Sequence, residues 1–179
     1  MKFKKSLTLI EIIVSIAVIV ISLLGAAALF TMSMRMTRES KIRFNSAILA
    51  KDLMEEISTK KWDELSSPSI VLGPEFGESR AGSTELTYWD DIDDYNGLSN
   101  NPPQAIDGTV MNGSNHPYPN YSNYRRSVTV RYVDDTTLQP AAFQTNYKRI
   151  RIRVDYSHSK NFADPDHTFN LDQVMTNTR

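Results

Sequence analysis

The run from Ile12 to Met34 is 23 residues long, carries no charge and is rich in Ile, Val, Leu and Ala, and a glutamate, Glu11, stands immediately before it. As a helix, such a run measures about 34 Å, enough to cross the roughly 30 Å hydrocarbon core of a bilayer. That surface has to be covered by lipid or by other apolar helices. Lys2, Lys4 and Lys5 lie just ahead of it, so the positive-inside rule predicts a cytoplasmic amino terminus and places the remainder of the chain outside the cytoplasm. Glu11 is the most informative residue here. An ionisable side chain at bilayer depth costs about 2.5–3.5 kcal/mol on insertion scales, and is usually paired or functional.

Three readings of the segment stand open on the residues alone. A secretory signal has an apolar core of about 7–15 residues and a small-residue cleavage site, for which Ala26-Ala27-Ala28 would serve, but this core is longer and Glu11 interrupts its start. A plain single-pass anchor fits the length if Glu11 snorkels toward the headgroups. The third reading comes from the stretch Lys5-Ser6-Leu7-Thr8-Leu9-Ile10-Glu11, which resembles the processing site of type IV prepilins and type II secretion pseudopilins. The resemblance implies a leader of residues 1–6, cleavage by a prepilin peptidase between Ser6 and Leu7, N-methylation of Leu7, and Glu11 as the fifth mature residue. It also gives Glu11 a partner, because in such filaments the carboxylate neutralises the cationic terminus of an adjacent subunit and so selects axial register. The family usually has Gly before the cut and Phe after it, where this chain has Ser6 and Leu7, and none of the eight prolines precedes Pro68.

Beyond Met34 the sequence turns polar without a helix breaker. Ile42, Ser46, Leu49, Ala50, Leu53 and Ile57 recur at three- and four-residue steps, and most charges lie elsewhere on the wheel. An amphipathic continuation over residues 35–65 is predicted, giving one helix of about 50 residues with Lys60 and Lys61 near its negative end. Residues 66–124 hold six of the eight prolines and six of the seven glycines and read as a loop region, with a short strand around Leu86–Trp89, and the resemblance implies that this is the variable region. Residues 125–179 read as antiparallel sheet. In SVTVRYV, Val128, Val130 and Tyr132 alternate, and in KRIRIRVDY, Ile150, Ile152, Val154 and Tyr156 share one face while Arg149, Arg151 and Arg153 share the other. HTFNLDQV adds a third strand through Phe169 and Leu171. The expected fold class is α+β, a long amino-terminal helix packed on a small antiparallel sheet, and in the light of the resemblance it is pilin-like.

Chemistry-bearing residues are few. Asp90, Asp91, Asp93 and Asp94 fall within WDDIDDYNGL and suit a hard cation such as Ca²⁺, but an EF-hand would need glycine at the sixth position from Asp91, where Asn96 stands. A solvated acidic turn is the plainer reading of the four, so no cofactor is expected. DIDDYNG, and KDLMEEI ahead of WDE, also resemble segments of minor pilins of the mannose-sensitive haemagglutinin type. Arg149, Arg151 and Arg153, with Arg125, Arg126, Arg131 and Lys148, would track phosphates beside Tyr118, Tyr121, Tyr124 and Tyr147, yet a wet basic face that meets the acidic loop explains them more simply. The net charge of -1 gives no overall attraction to nucleic acid. His116, His158 and His167 lack metal-ligand spacing, and Asp164, Asp166 and His167 suit a turn around Pro165. There is no Gly-rich phosphate loop, nucleophile elbow or zincin motif, and no cysteine, so neither enzyme chemistry nor a disulfide framework is expected. The expectation is a structural subunit, a minor pilin or pseudopilin in the bacterial inner membrane and then in a pilus or pseudopilus. Its partners would be other pilin subunits, the prepilin peptidase, an inner-membrane assembly platform and the membrane itself. The alternative is a membrane-tethered extracytoplasmic binding domain that does not polymerise.

Overall fold

A computed structural model describes residues 8–62, 72–80, 88–114 and 118–177. Ser6, Leu7, His116 and residues 86 and 87 of the expected short strand lie outside the described residues. Contacts divide the chain into two units, 1–42 and 43–179, and each is taken by itself.

Helix α1 runs Leu9–Ser58, 50 residues, and contributes to both units. In the first unit it is long and apolar enough to cross a membrane, and its most hydrophobic window has no buried residue. The hydroxyls within it are satisfied locally, Ser15 on the Glu11 carbonyl at 2.7 Å, Ser22 on Val18 at 2.8 Å and Thr31 on Ala27 at 2.6 Å. Back-bonding of this kind lets a polar side chain sit on an apolar helix without an outside partner.

In the second unit the expected stripe is buried, with Ser46, Leu49, Ala50, Leu53 and Ile57 all inside, and Met54 joins them. They cover the inner face of a four-stranded antiparallel sheet ordered β1-β2-β3-β4, with β1 at Ser99–Asn100, β2 at Tyr124–Tyr132, β3 at Tyr147–Tyr156 and β4 at His167–Thr176. Val128, Val130, Ile150, Ile152 and Val154 supply the facing core. Each such side chain contributes about 1.5–3 kcal/mol of burial, and period two along β2 and β3 puts them on one side. The arrangement is α+β. Asn45 donates to the Tyr124 hydroxyl at 3.3 Å, a polar contact between helix and sheet at the margin of that core.

One expectation is corrected, residues 63–65 lying outside the described residues: the helix stops at Ser58, short of the bound expected at residue 65. Beyond it, Lys61 pairs with the loop, donating its amide to the Asp90 carbonyl at 3.0 Å and accepting from the Ile92 amide at 3.0 Å. Lys60 and Lys61 follow the helix end as expected, the Lys60 amide donating to the Ile57 carbonyl at 3.0 Å, while Lys60 Nζ donates to the Trp89 carbonyl at 2.7 Å and Lys61 Nζ meets Asp90 at 2.5 Å. The described part of 66–124 is mostly turns and loops, in keeping with the expectation, and holds the two-residue β1 and a short 3-10 helix at Asp93–Tyr95. In the expected strand Tyr88 makes a single parallel bridge to Ser79.

Candidate functional site

Glu11 occupies the third position of α1, and Thr8, the residue before the helix, accepts the first backbone bonds from the Glu11 and Ile12 amides. The Glu11 carboxylate turns back to accept from the Thr8 amide at 3.4 Å. Thr8-Leu9-Ile10-Glu11 is thus one half of a capping box, in which the acid relieves an orphan donor and sits at the positive end of the helix dipole. The side chain remains exposed, and among the described residues its second oxygen has no hydrogen-bond partner.

The four aspartates of the acidic run do not act as one group, and the solvated turn expected of them is not what forms. Asp90 faces Lys61. Asp91 Oδ1 accepts from the amides of Asp93 at 2.9 Å and Asp94 at 3.2 Å, and Asp94 Oδ2 accepts from the Asp91 amide at 3.1 Å, a reciprocal cap on the 3-10 helix. Asp91, Asp93 and Asp94 are all buried. Asp93 pairs with Lys148, Oδ1 to Nζ 2.5 Å, and the ammonium also donates to the Trp62 carbonyl at 2.6 Å and lies 4.9 Å over the Trp62 ring.

Asp94 belongs to a different set. Its carboxylate comes together with those of Glu75 and Glu78, one oxygen from each lying within 4.8 Å of the others. Burial first, and then the charges of Asp91 and Glu78, push Asp94 up to about 8 against the lowering by the Asp91 amide. Glu75 and Glu78 carried no recognisable signal in the sequence, because 16 to 19 residues separate them from Asp94.

Around Glu56 of α1 a second buried network forms. Arg80 grips its carboxylate through Nε at 2.9 Å and Nη2 at 2.5 Å, and the Tyr95 hydroxyl donates to it at 2.8 Å. Burial, followed by the Glu56 charge, raises the Tyr95 phenol far above its ordinary value. The Gln104 carbonyl accepts from both Arg80 and Arg126. Desolvation, with Arg80 close by, lowers Arg126 to about 10.

The basic face expected of the sheet is therefore smaller than the sequence suggested. Arg126 and Lys148, 1% and 0% exposed, point inward, since they fall on the same parity as Val128 and Ile150. Arg125 and Arg153 are held by the buried Asp155 at 2.7 and 2.8 Å. Arg131, Arg149 and Arg151 remain around a shallow cavity of about 180 Å³, also lined by Thr129, Val133 and Pro140. Arg131 stands directly opposite Arg149, and Arg151 is held by Asp172 at 2.7 Å. In the β3–β4 connection, Asp166 accepts from the His158 amide at 2.6 Å, a turn role that matches the expectation for that segment. Among the described residues no carboxylate cluster that could hold a metal includes a histidine.

No family model matches this sequence, and neither a curated protein nor a solved structure matches it.

Proposed function

We propose that the chain is a minor pilin or pseudopilin: a structural subunit cut between Ser6 and Leu7 by a prepilin peptidase, methylated at Leu7 and incorporated into a type IV pilus or type II secretion pseudopilus. The observation that carries this reading is Glu11 on the first turn of a helix whose most apolar window has no buried residue. Such a surface needs lipid while the subunit waits and other helices once it assembles. The precursor would sit in the bacterial inner membrane with its amino terminus cytoplasmic and residues 35–179 beyond the membrane. In a filament core, the exposed carboxylate of Glu11 would meet the methylated amino group of a neighbouring copy, and the pair would favour one axial register. The α+β arrangement, with an amphipathic continuation of the same helix laid on an antiparallel sheet, supports a pilin-like architecture. The role is mechanical, and catalysis of cleavage and assembly belongs to the partners.

The Arg131, Arg149 and Arg151 cavity favours one second reading, a tethered binding domain that takes an anionic group and does not polymerise. Two measurements separate them. Mass analysis of the native amino-terminal peptide is expected to find a methylated Leu7; an intact Met1 supports the tether instead. Glu11→Ala is expected to leave membrane insertion intact and to lower recovery in sheared filaments at least about tenfold, the loss that about 1.4 kcal/mol of subunit affinity produces. Equal recovery of the variant refutes the role given to Glu11.

A further inference from the structure

Glu75, Glu78 and Asp94 come from two segments that nothing in the capping of the 3-10 helix requires to meet. Glu75 and Glu78 belong to the 72–80 segment, where Glu78 Oε2 accepts from the Glu75 amide at 3.0 Å, and Asp94 lies in the middle of the 3-10 helix. Asp94 is 1% exposed, and while its Oδ2 takes the Asp91 amide, its Oδ1 is buried with no hydrogen-bond partner among the described residues. Lys60 feels the charge of Asp94, but its ammonium donates to the Trp89 carbonyl and lies over the Tyr88 ring. Among the described residues no positive group completes this buried, unfilled acceptor, which is set among two further carboxylates.

We infer that Glu75, Glu78 and Asp94 form a binding site for a divalent cation of the calcium type, which ties the 72–80 segment to the 3-10 helix. Three carboxylates supply between three and six oxygens, and carbonyls or water complete the six to eight that Ca²⁺ takes. Mg²⁺ demands near-octahedral ligands at about 2.0–2.1 Å and gives up its water reluctantly, so donors on an irregular segment favour the larger ion. The site is separate from the Asp90, Asp91 and Asp93 positions, which are engaged by Lys61, the 3-10 helix amides and Lys148. It is also independent of Glu11, so failure of either reading leaves the other standing.

The test uses the full chain in detergent, stripped with a chelator and titrated with CaCl₂ by calorimetry, with thermal unfolding read by tryptophan fluorescence. One site per chain is expected, with a dissociation constant on the order of 10⁻⁴ M or tighter, and a rise of several degrees in the melting temperature at millimolar Ca²⁺. Glu78→Gln and Asp94→Asn are each expected to weaken binding at least about tenfold, and Asp107→Asn, at an exposed carboxylate of the same region, to leave it unchanged. Should Asp94→Asn fail to fold, Glu78→Gln alone decides. The inference is overturned by the absence of binding up to 10 mM of added Ca²⁺ (roughly a hundred times that constant) to folded protein, which would leave a proton shared between Asp94 and Glu78. It is equally overturned by unweakened binding in the variants, or by equal stabilisation with NaCl at matched ionic strength.

Discussion

Replacing Lys148 by methionine shortens the side chain by one atom and removes its charge, and the structure fixes what that exposes. Lys148 is fully buried, its Nζ lies 2.5 Å from Asp93 Oδ1, and Asp93 is itself 4% exposed. At an effective dielectric of about 20, the gross attraction at that separation is roughly 6–7 kcal/mol. Desolvation of two ions costs several kcal/mol each, so the pair as a whole adds little over an apolar replacement. Removing one partner is different, because Asp93 stays buried with its penalty uncompensated. The contacts of the ammonium with the Trp62 carbonyl and with the Trp62 and Tyr132 rings are lost as well. Lys148→Met is therefore expected to destabilise the second unit by about 3–5 kcal/mol, and the double variant Lys148→Met, Asp93→Asn to recover more than half of that. Urea unfolding of the detergent-solubilised chain, followed by the fluorescence of its two tryptophans, Trp62 and Trp89, reads the change close to the pair. A cost below about 1 kcal/mol for the single variant would refute the reasoning, since exposed pairs behave that way.

Glu56→Gln leaves the Arg80 guanidinium buried without its counter-charge, and a loss of about 2–4 kcal/mol is expected in the same unfolding assay. Tyr95→Phe, which removes only the hydroxyl donor to that carboxylate, should cost about 1–2 kcal/mol. Asp155 is raised by burial, but bonds from Arg125, Arg153 and Thr168 outweigh that and hold its carboxyl below the usual 3.8. The stability this contributes is complete above the unfolded value and is lost as pH falls through the folded one. The advantage of the native chain over Asp155→Asn should accordingly shrink below about pH 4, and a difference that stays constant from pH 6 to pH 2 contradicts the assignment.

Periodicity made most of the architecture legible. The apolar run, the three- and four-residue stripe from Ser46 to Ile57, and the alternation in β2 and β3 each depend on local spacing, and each formed as read. Where the sequence misled, a charged residue was taken as solvated because of its type. Lys148 and Arg126 sit on the inward parity of their strands, and strict alternation from Ile150 and Val128 assigns them inside; parity outranked polarity. Asp93 and Asp94 were hidden for another reason. Their fates depend on Lys148, Glu75 and Glu78, and no local pattern encodes contacts over 16 to 55 residues, whereas Asp91 caps amides only two and three residues ahead of it. The helix end at Ser58 is likewise set by the pairing of Lys61 with the loop, a tertiary competitor that helix propensity does not contain.

The same distances explain how the irregular region is held. With no cysteine, it has no covalent tie to the sheet or the helix. Among the described residues its ion-pair anchors are Glu56 with Arg80, Asp93 with Lys148, and Asp90 with Lys61, each joining segments 24 to 55 residues apart. Two of the three lie where water does not screen them, and Lys61 is the exposed member of the third. Raising salt should therefore loosen the 88–92 end of the loop before the rest, because only the Lys61 contact is within reach of counter-ions. Hydrogen exchange at 50 mM and 1 M NaCl tests this: the amides of Lys61 and Ile92, which bridge helix end and loop, should gain in exchange rate while that of Val130, bonded to Asn96, does not. Equal acceleration at all three would mean that the buried pairs are screened too, and that packing of Tyr95 and Ile92 holds the loop in their place.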